Sequence, residues 1–79
     1  MRRVTLYGRP GCHLCDEARD ALRDLRSEVD FAFEERDIEA DDALLRRYLE
    51  RIPVIALDGE ELYDFWLDTR DLRRRLKVE

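Results

Sequence analysis

The hydrophobic period switches twice near the start of the chain, and that double switch is the strongest constraint on its fold. Arg3-Val4-Thr5-Leu6-Tyr7 is rich in β-branched and aromatic residues and reads as a first strand. Gly8-Arg9-Pro10-Gly11 breaks it as a loop. From about His13 to Glu28 the period becomes helical. Cys15, Ala18, Leu22, Leu25 and Val29 recur at spacings of three and four, so one face is apolar. Asp16, Glu17, Asp20 and Arg23 take the other side, and the early acids suit the positive end of the helix dipole. Phe31 to Ile38 then reads as a second strand, with an alternation that fades after Phe33 as on a sheet edge. Strand, helix, strand implies two parallel strands joined by a right-handed crossover.

The remainder changes character again. Asp41 or Asp42 can cap a short helix carrying Leu44, Leu45, Tyr48 and Leu49. Pro53-Val54-Ile55-Ala56-Leu57 is a continuous apolar run, expected as a buried strand. Asp58-Gly59 signals a hairpin turn, with Glu60-Glu61-Leu62-Tyr63 returning antiparallel. Asp68 caps a last helix with Leu72 and Leu76 inward. The predicted order is βαβαββα, an α/β fold with a four-stranded mixed sheet flanked by three helices. The 79 residues allow one small domain, 1–79, with every element feeding a single core.

The composition narrows the function. Apolar residues make up 44%, enough to form a core and to exclude disorder. No apolar run approaches the ~20 residues of a membrane span, and Gly8 to Pro10 interrupt any secretory signal after Met1-Arg2-Arg3. A net charge of −5 argues against a nucleic-acid binder. Arg46-Arg47 and Arg73-Arg74-Arg75 read as solvated helix faces beside acids. There is no Asn or Gln, and Ser27, Thr5 and Thr69 are the only aliphatic hydroxyls. Few side chains remain for chemistry.

Those few are concentrated in Cys12-His13-Leu14-Cys15, which holds both cysteines and the only histidine. A Cys-x-x-Cys that opens a helix within a βαβ pattern reads as a redox motif. A nucleophilic sulfur must be a thiolate, and at a free-Cys pKa of ~8.5 only a few per cent is ionised at neutral pH. The first turn of a helix offers unpaired N–H donors and a positive dipole end, which lower that value. Cys12 sits at this end and is expected to be the exposed attacking sulfur. Cys15 lies one turn on, on the apolar stripe, and suits a shielded resolving thiol. Arg9 and His13 add positive charge near Cys12, whereas Asp16 and Glu17 oppose it. His13 is expected to face solvent and tune the thiolate slightly.

With these residues the chain resembles glutaredoxins and the wider thioredoxin superfamily. The matching segments are Val4-Thr5-Leu6-Tyr7, Arg9-Pro10-Gly11-Cys12-His13-Leu14-Cys15, Ile52-Pro53-Val54 and Asp58-Gly59. It is similar to short bacterial glutaredoxin-like proteins with Tyr-Gly-x-x-Gly-Cys-His-Leu-Cys near the start. The resemblance implies a minimal thioredoxin fold. It also implies a cis peptide before Pro53, facing Cys12, with the backbone of Ile52 pairing a disulfide substrate as a short added strand. Glutaredoxins usually hold glutathione with Gly-Gly and a polar residue after the last strand; here Tyr63-Asp64-Phe65 stands instead. Arg9 occupies the place of a basic residue that often meets a glutathione carboxylate. Phe65, Trp66 and Leu67 are expected to pack against the last helix, with a substrate groove as the alternative.

The function expected is thiol–disulfide exchange, with substrate-binding roles for Arg9, His13, Ile52 and Pro53. The partners expected are a disulfide-containing protein or small thiol, with glutathione or a reductase as electron donor. No tightly bound cofactor, nucleic acid or membrane is expected, and the setting is a cytoplasmic monomer. The alternative is soft-metal binding, such as Cu(I) held by the two thiolates. A closed zinc site needs four ligands and is not available in one chain. A cluster of iron and sulfur bridged between two protomers is a further variant.

Overall fold

The computed structural model describes residues 1–77. The elements are β1 (Arg3–Gly8), α1 (His13–Arg26), β2 (Ala32–Asp37), a 3-10 turn (Ile38–Ala40), α2 (Asp42–Tyr48), β3 (Val54–Leu57), β4 (Glu60–Asp64) and α3 (Thr69–Lys77). One mixed sheet has the order β2-β1-β3-β4. β1 runs parallel to β2 from Arg3–Ala32 to Gly8–Asp37. It runs antiparallel to β3, from Val4–Leu57 to Tyr7–Val54. β3 and β4 form the expected hairpin, with a bulge opposite Ile55 and Ala56 that takes up Leu62. Asp58 and Gly59 both have positive φ, 51° and 89°, as a two-residue hairpin turn of the primed type requires. The Asp58 carboxylate also accepts the Arg3 N–H at 2.9 Å, which ties the turn to the start of β1.

Strand alternation divides the interior in two. Val4, Leu6, Ile55 and Leu57 face α1 and α3, where they meet Ala18, Leu22, Leu25, Phe31, Leu72 and Leu76. The other cluster is Ile38, Tyr48 and Val54, packed with Tyr7, Leu44, Leu45 and Ile52 under α2. The single core expected from length is therefore two clusters, one on each side of the sheet. β3 feeds both, which is why its four residues are all buried and its sequence shows no alternation.

Three local expectations change. α1 ends at Arg26 rather than Glu28, because the Ser27 hydroxyl bonds the Asp24 carbonyl at 2.6 Å and closes the helix. Val29 therefore reaches the core from a loop. Ile38 leaves the second strand: Asp37 accepts the Glu39 N–H at 2.9 Å and starts a tight turn that buries Ile38 under α2. Leu49 caps α2 and is exposed. Of the two candidate caps for α2, Asp41 is the one used, accepting from the N–H groups of Ala43 and Leu44. No described helix is long and apolar enough to cross a membrane.

Candidate functional site

Two glycines shape the loop that carries the cysteines, for different reasons. Gly11 has φ +80° with open space around it, so its role is conformational. Gly8, the last residue of β1, is needed for room: a Cβ there would lie 3.0 Å from Cys15 Sγ. The chain then turns into α1 with Cys12 as N-cap, its backbone extended (φ −89°, ψ 110°). The Cys12 sulfur accepts the N–H of Cys15 at 3.2 Å, as a capping oxygen would. Cys12 and Cys15 form a disulfide with Cα atoms 5.2 Å apart. Cys15 is fully buried beside Ala18 and Leu22, while Cys12 is only partly covered. The pair therefore presents one sulfur outward and keeps the other inside. The helix N-terminus and an aimed N–H favour negative charge on Cys12 once the disulfide opens.

The Ile52–Pro53 peptide is cis. Tyr7 pairs with Val54, so Pro53 precedes β3 at the same end of the sheet where β1 runs out into the Cys12 loop. The corner is braced from β4. Phe65 donates its N–H to the Pro53 carbonyl at 2.8 Å and to the Arg51 carbonyl at 3.2 Å. Arg51 bonds Asp64 at 3.0 Å and also Glu61, and lies over the Tyr48 ring, which stacks on Tyr7. Hydrogen bonds from Arg51, then from Tyr48, hold the Glu61 carboxyl down to about 2. Burial, then the bond to Glu61, pushes the Tyr48 phenol up to about 12. This brace was not read from the sequence. The spacing of Arg51, Glu61 and Asp64 becomes meaningful only once the hairpin register is known.

The remaining candidates divide. Arg9 leaves the motif sideways, 3.7 Å from Glu39, with its side chain 44% exposed. His13 contacts Glu17 at 3.0 Å on the outer face of α1 and is 88% exposed, so it faces solvent as expected. Ile52 lies before the β3 ladder, and among the described residues its N–H and carbonyl have no backbone partner. Leu67 packs on the α1/α3 cluster as expected. Phe65 and Trp66 do not: they are 51% and 66% exposed, and with Leu14 they line a groove beside α1. Phe65 holds a positive φ of 71°, which turns its side chain outward from the end of β4. Among the described residues no group of three or more His, Cys, Asp or Glu could hold a metal ion.

A parallel β1–β2 pair joined by α1, an antiparallel β3–β4 hairpin, a disulfide at the helix start and a cis proline at the same end of the sheet define a thioredoxin-like fold with a redox-type cysteine pair. Solved structures agree. Protein Ne2328 from Nitrosomonas europaea is 35% identical, with a TM-score of 0.83 over 96% of this chain and 92% of its own. Protein XcR50 from X. campestris is 40% identical, with a TM-score of 0.75 over 96% of this chain and 97% of its own. A thioredoxin from Halobacterium salinarum shares the fold at 20% identity, with a TM-score of 0.71 over 96% of this chain and 72% of its own. No curated protein matches the chain. Over residues 3–77 the sequence matches the glutaredoxin-like domain family (DUF836), and the chain belongs to it.

Proposed function

We propose that the protein is a thiol–disulfide oxidoreductase working as a reductase. The observation that carries this reading is the asymmetry of the cysteine pair: Cys12 caps α1 and is accessible, whereas Cys15 is fully buried. In the dithiol form, the Cys12 thiolate attacks one sulfur of a substrate disulfide. The substrate S–S bond breaks, its other sulfur leaves as a thiolate and takes a proton, and a mixed disulfide forms at Cys12. Cys15, as thiolate, then attacks Cys12 Sγ and releases the second substrate thiol. Two electrons pass to the substrate, and the Cys12–Cys15 disulfide remains. An external thiol reductant restores the dithiol, and a cytosolic setting supplies one.

The surroundings support this reading. The free N–H and carbonyl of Ile52, held beside cis-Pro53, offer a substrate backbone one short strand of pairing. Arg9 is exposed enough to meet a carboxylate. His13 adds positive charge only when protonated, and Glu17 offsets it.

The test is a Cys15→Ser variant, which leaves the attacking sulfur but removes the resolving one. It should accumulate mixed disulfides at Cys12, detected by mass spectrometry, while the wild type reduces insulin or a small aromatic disulfide. Parallel assays with glutathione plus its reductase and with thioredoxin reductase identify the donor. No adduct at Cys12 and no reduction with either donor would end this reading. Metal bound stoichiometrically by the anaerobic dithiol protein would favour the soft-metal alternative.

A further inference from the structure

Three of the chain's large exposed apolar side chains, Leu14, Phe65 and Trp66, gather on one groove that begins inside the Cys-x-x-Cys motif. The groove encloses about 330 Å³ over a floor of Ala18 and Ala21. That is the small end of ligand clefts, room for one or two side chains. Exposed aromatics in one contiguous patch mark a contact surface, and the outward turn of Phe65 is held by a backbone conformation a bulky residue rarely adopts.

The chemistry of the groove selects its occupant. Among the described residues, Glu17 is the only charged one lining it, and no Lys or Arg does. The N–H groups of Phe65 and Trp66 are already used, on the Arg51 and Pro53 carbonyls and on the Asp64 carbonyl respectively. An anionic small thiol with two carboxylates therefore meets no cation there, and Glu17 repels it. An apolar side chain with a basic neighbour meets a matching wall and Glu17, on a protein whose net charge is −5.

We propose that this groove is a substrate-reading subsite that seats a bulky apolar side chain, flanked by a Lys or Arg, from the polypeptide segment bearing the substrate disulfide. The proposal deepens the oxidoreductase reading and rests on it for the term substrate. The site's own chemistry is continuous with it, since Leu14 lies between the two cysteines.

Trp66 is the only tryptophan of the chain, so its emission reports the groove directly. The oxidised protein would be titrated with redox-inert peptides, Ser in place of Cys, carrying Lys and either Phe or Ala two residues from the Ser. S-methylglutathione serves as the small-thiol probe. The Phe peptide should shift Trp66 emission to the blue and bind roughly tenfold more tightly than the Ala peptide, the effect of partly burying one large apolar side chain. Phe65→Gly, which suits the positive φ, and Leu14→Ser should each erase most of that ratio. In turnover, the kcat/KM ratio for the corresponding Phe and Ala disulfide peptides should fall by a similar factor in both variants. Equal affinity for the two peptides, tighter binding of S-methylglutathione, or a concentration-dependent blue shift from self-association without peptide would each overturn the proposal. Selective binding without any reduction would remove the oxidoreductase reading and leave the docking surface standing. Reduction without selectivity would do the reverse.

Discussion

Replacing Gly8 by alanine tests the close approach between β1 and the buried cysteine. The added Cβ would lie 3.0 Å from Cys15 Sγ and 3.1 Å from Cys15 Cβ. Comfortable contacts of this kind lie near ~3.5–4.0 Å, so the neighbour must give by about half an ångström. Cys15 cannot move alone, because it is fully buried on the same stripe as Ala18 and Leu22. Overpacking of a tight interior costs ~1–3 kcal/mol. Against this stands a gain of ~0.4–1 kcal/mol from the stiffer unfolded chain, available because Gly8 does not need positive φ. The net loss is about 1–2 kcal/mol, or ~4–15 °C in Tm for a domain of this size. The loss depends on redox state. In the disulfide, Cys15 Sγ is tied to Cys12 and cannot rotate away from the new methyl; in the dithiol it can. A differential of ~1 kcal/mol makes the disulfide easier to reduce by roughly 20 mV. Thermal unfolding of both redox forms measures the first effect, and a thiol-labelling redox titration the second. A rise in Tm of the oxidised form would refute the reasoning. So would an equal fall in both forms, since the contact would then not involve the sulfur.

Three further outcomes are expected. Glu61→Gln should lower stability by ~1–2 kcal/mol at neutral pH, less than the full shift implies because the Glu61 side chain is 23% exposed. Its folded carboxyl titrates near 2 against an ordinary 4.5, so its contribution is full above 4.5 and is lost as pH falls toward 2; denaturation of both proteins across this window should show the difference closing, and a constant difference would contradict the assignment. In the reduced protein, the rate of Cys12 alkylation against pH should have its midpoint below the free-thiol value, with Cys15 inert in the folded state; a midpoint near the free-thiol ~8.5 would mean that the helix start does not activate the sulfur. Asp41→Ala should cost ~1 kcal/mol, read by urea denaturation, because the seven-residue α2 loses the cap on Ala43 and Leu44; Asp41→Asn should retain most of it.

How far the fold was legible depended on how local each signal is. The period of Val4 and Leu6, the stripe from Cys15 to Leu25 and the Asp58-Gly59 turn are written in neighbouring residues, and all three elements stand where the pattern puts them. Ile38 was misplaced because an apolar residue after a strand continues its alternation equally well in a 3-10 turn; only Asp37, acting as a cap, distinguishes them. The cis peptide before Pro53 came from family resemblance, since no periodicity encodes it. Packing of Phe65 and Trp66 against the last helix is the first expectation because aromatics usually bury, with a groove as the alternative; the positive φ that turns Phe65 outward leaves no trace in a sequence without glycine at that place. The brace of Arg51 on Glu61 and Asp64 spans elements whose register no local pattern reveals.

The site is assembled almost wholly from backbone and shape, and the composition explains why. A chain without Asn or Gln and with one serine has few neutral side chains to orient a thiol. The cap on α1 is instead the Cys12 sulfur, taking the N–H of Cys15 where a Ser or Asp would normally stand. Room for the buried sulfur comes from the missing side chain at Gly8, and the loop's turn from the backbone of Gly11. The cis-proline corner is held by carbonyls of residues 51 and 53 receiving one N–H from Phe65. Charges do the remaining positioning through Arg51, whose guanidinium bonds Asp64 and Glu61 next to that corner. Leu14, Phe65 and Trp66 are left exposed beside this scaffold, lining one groove along α1.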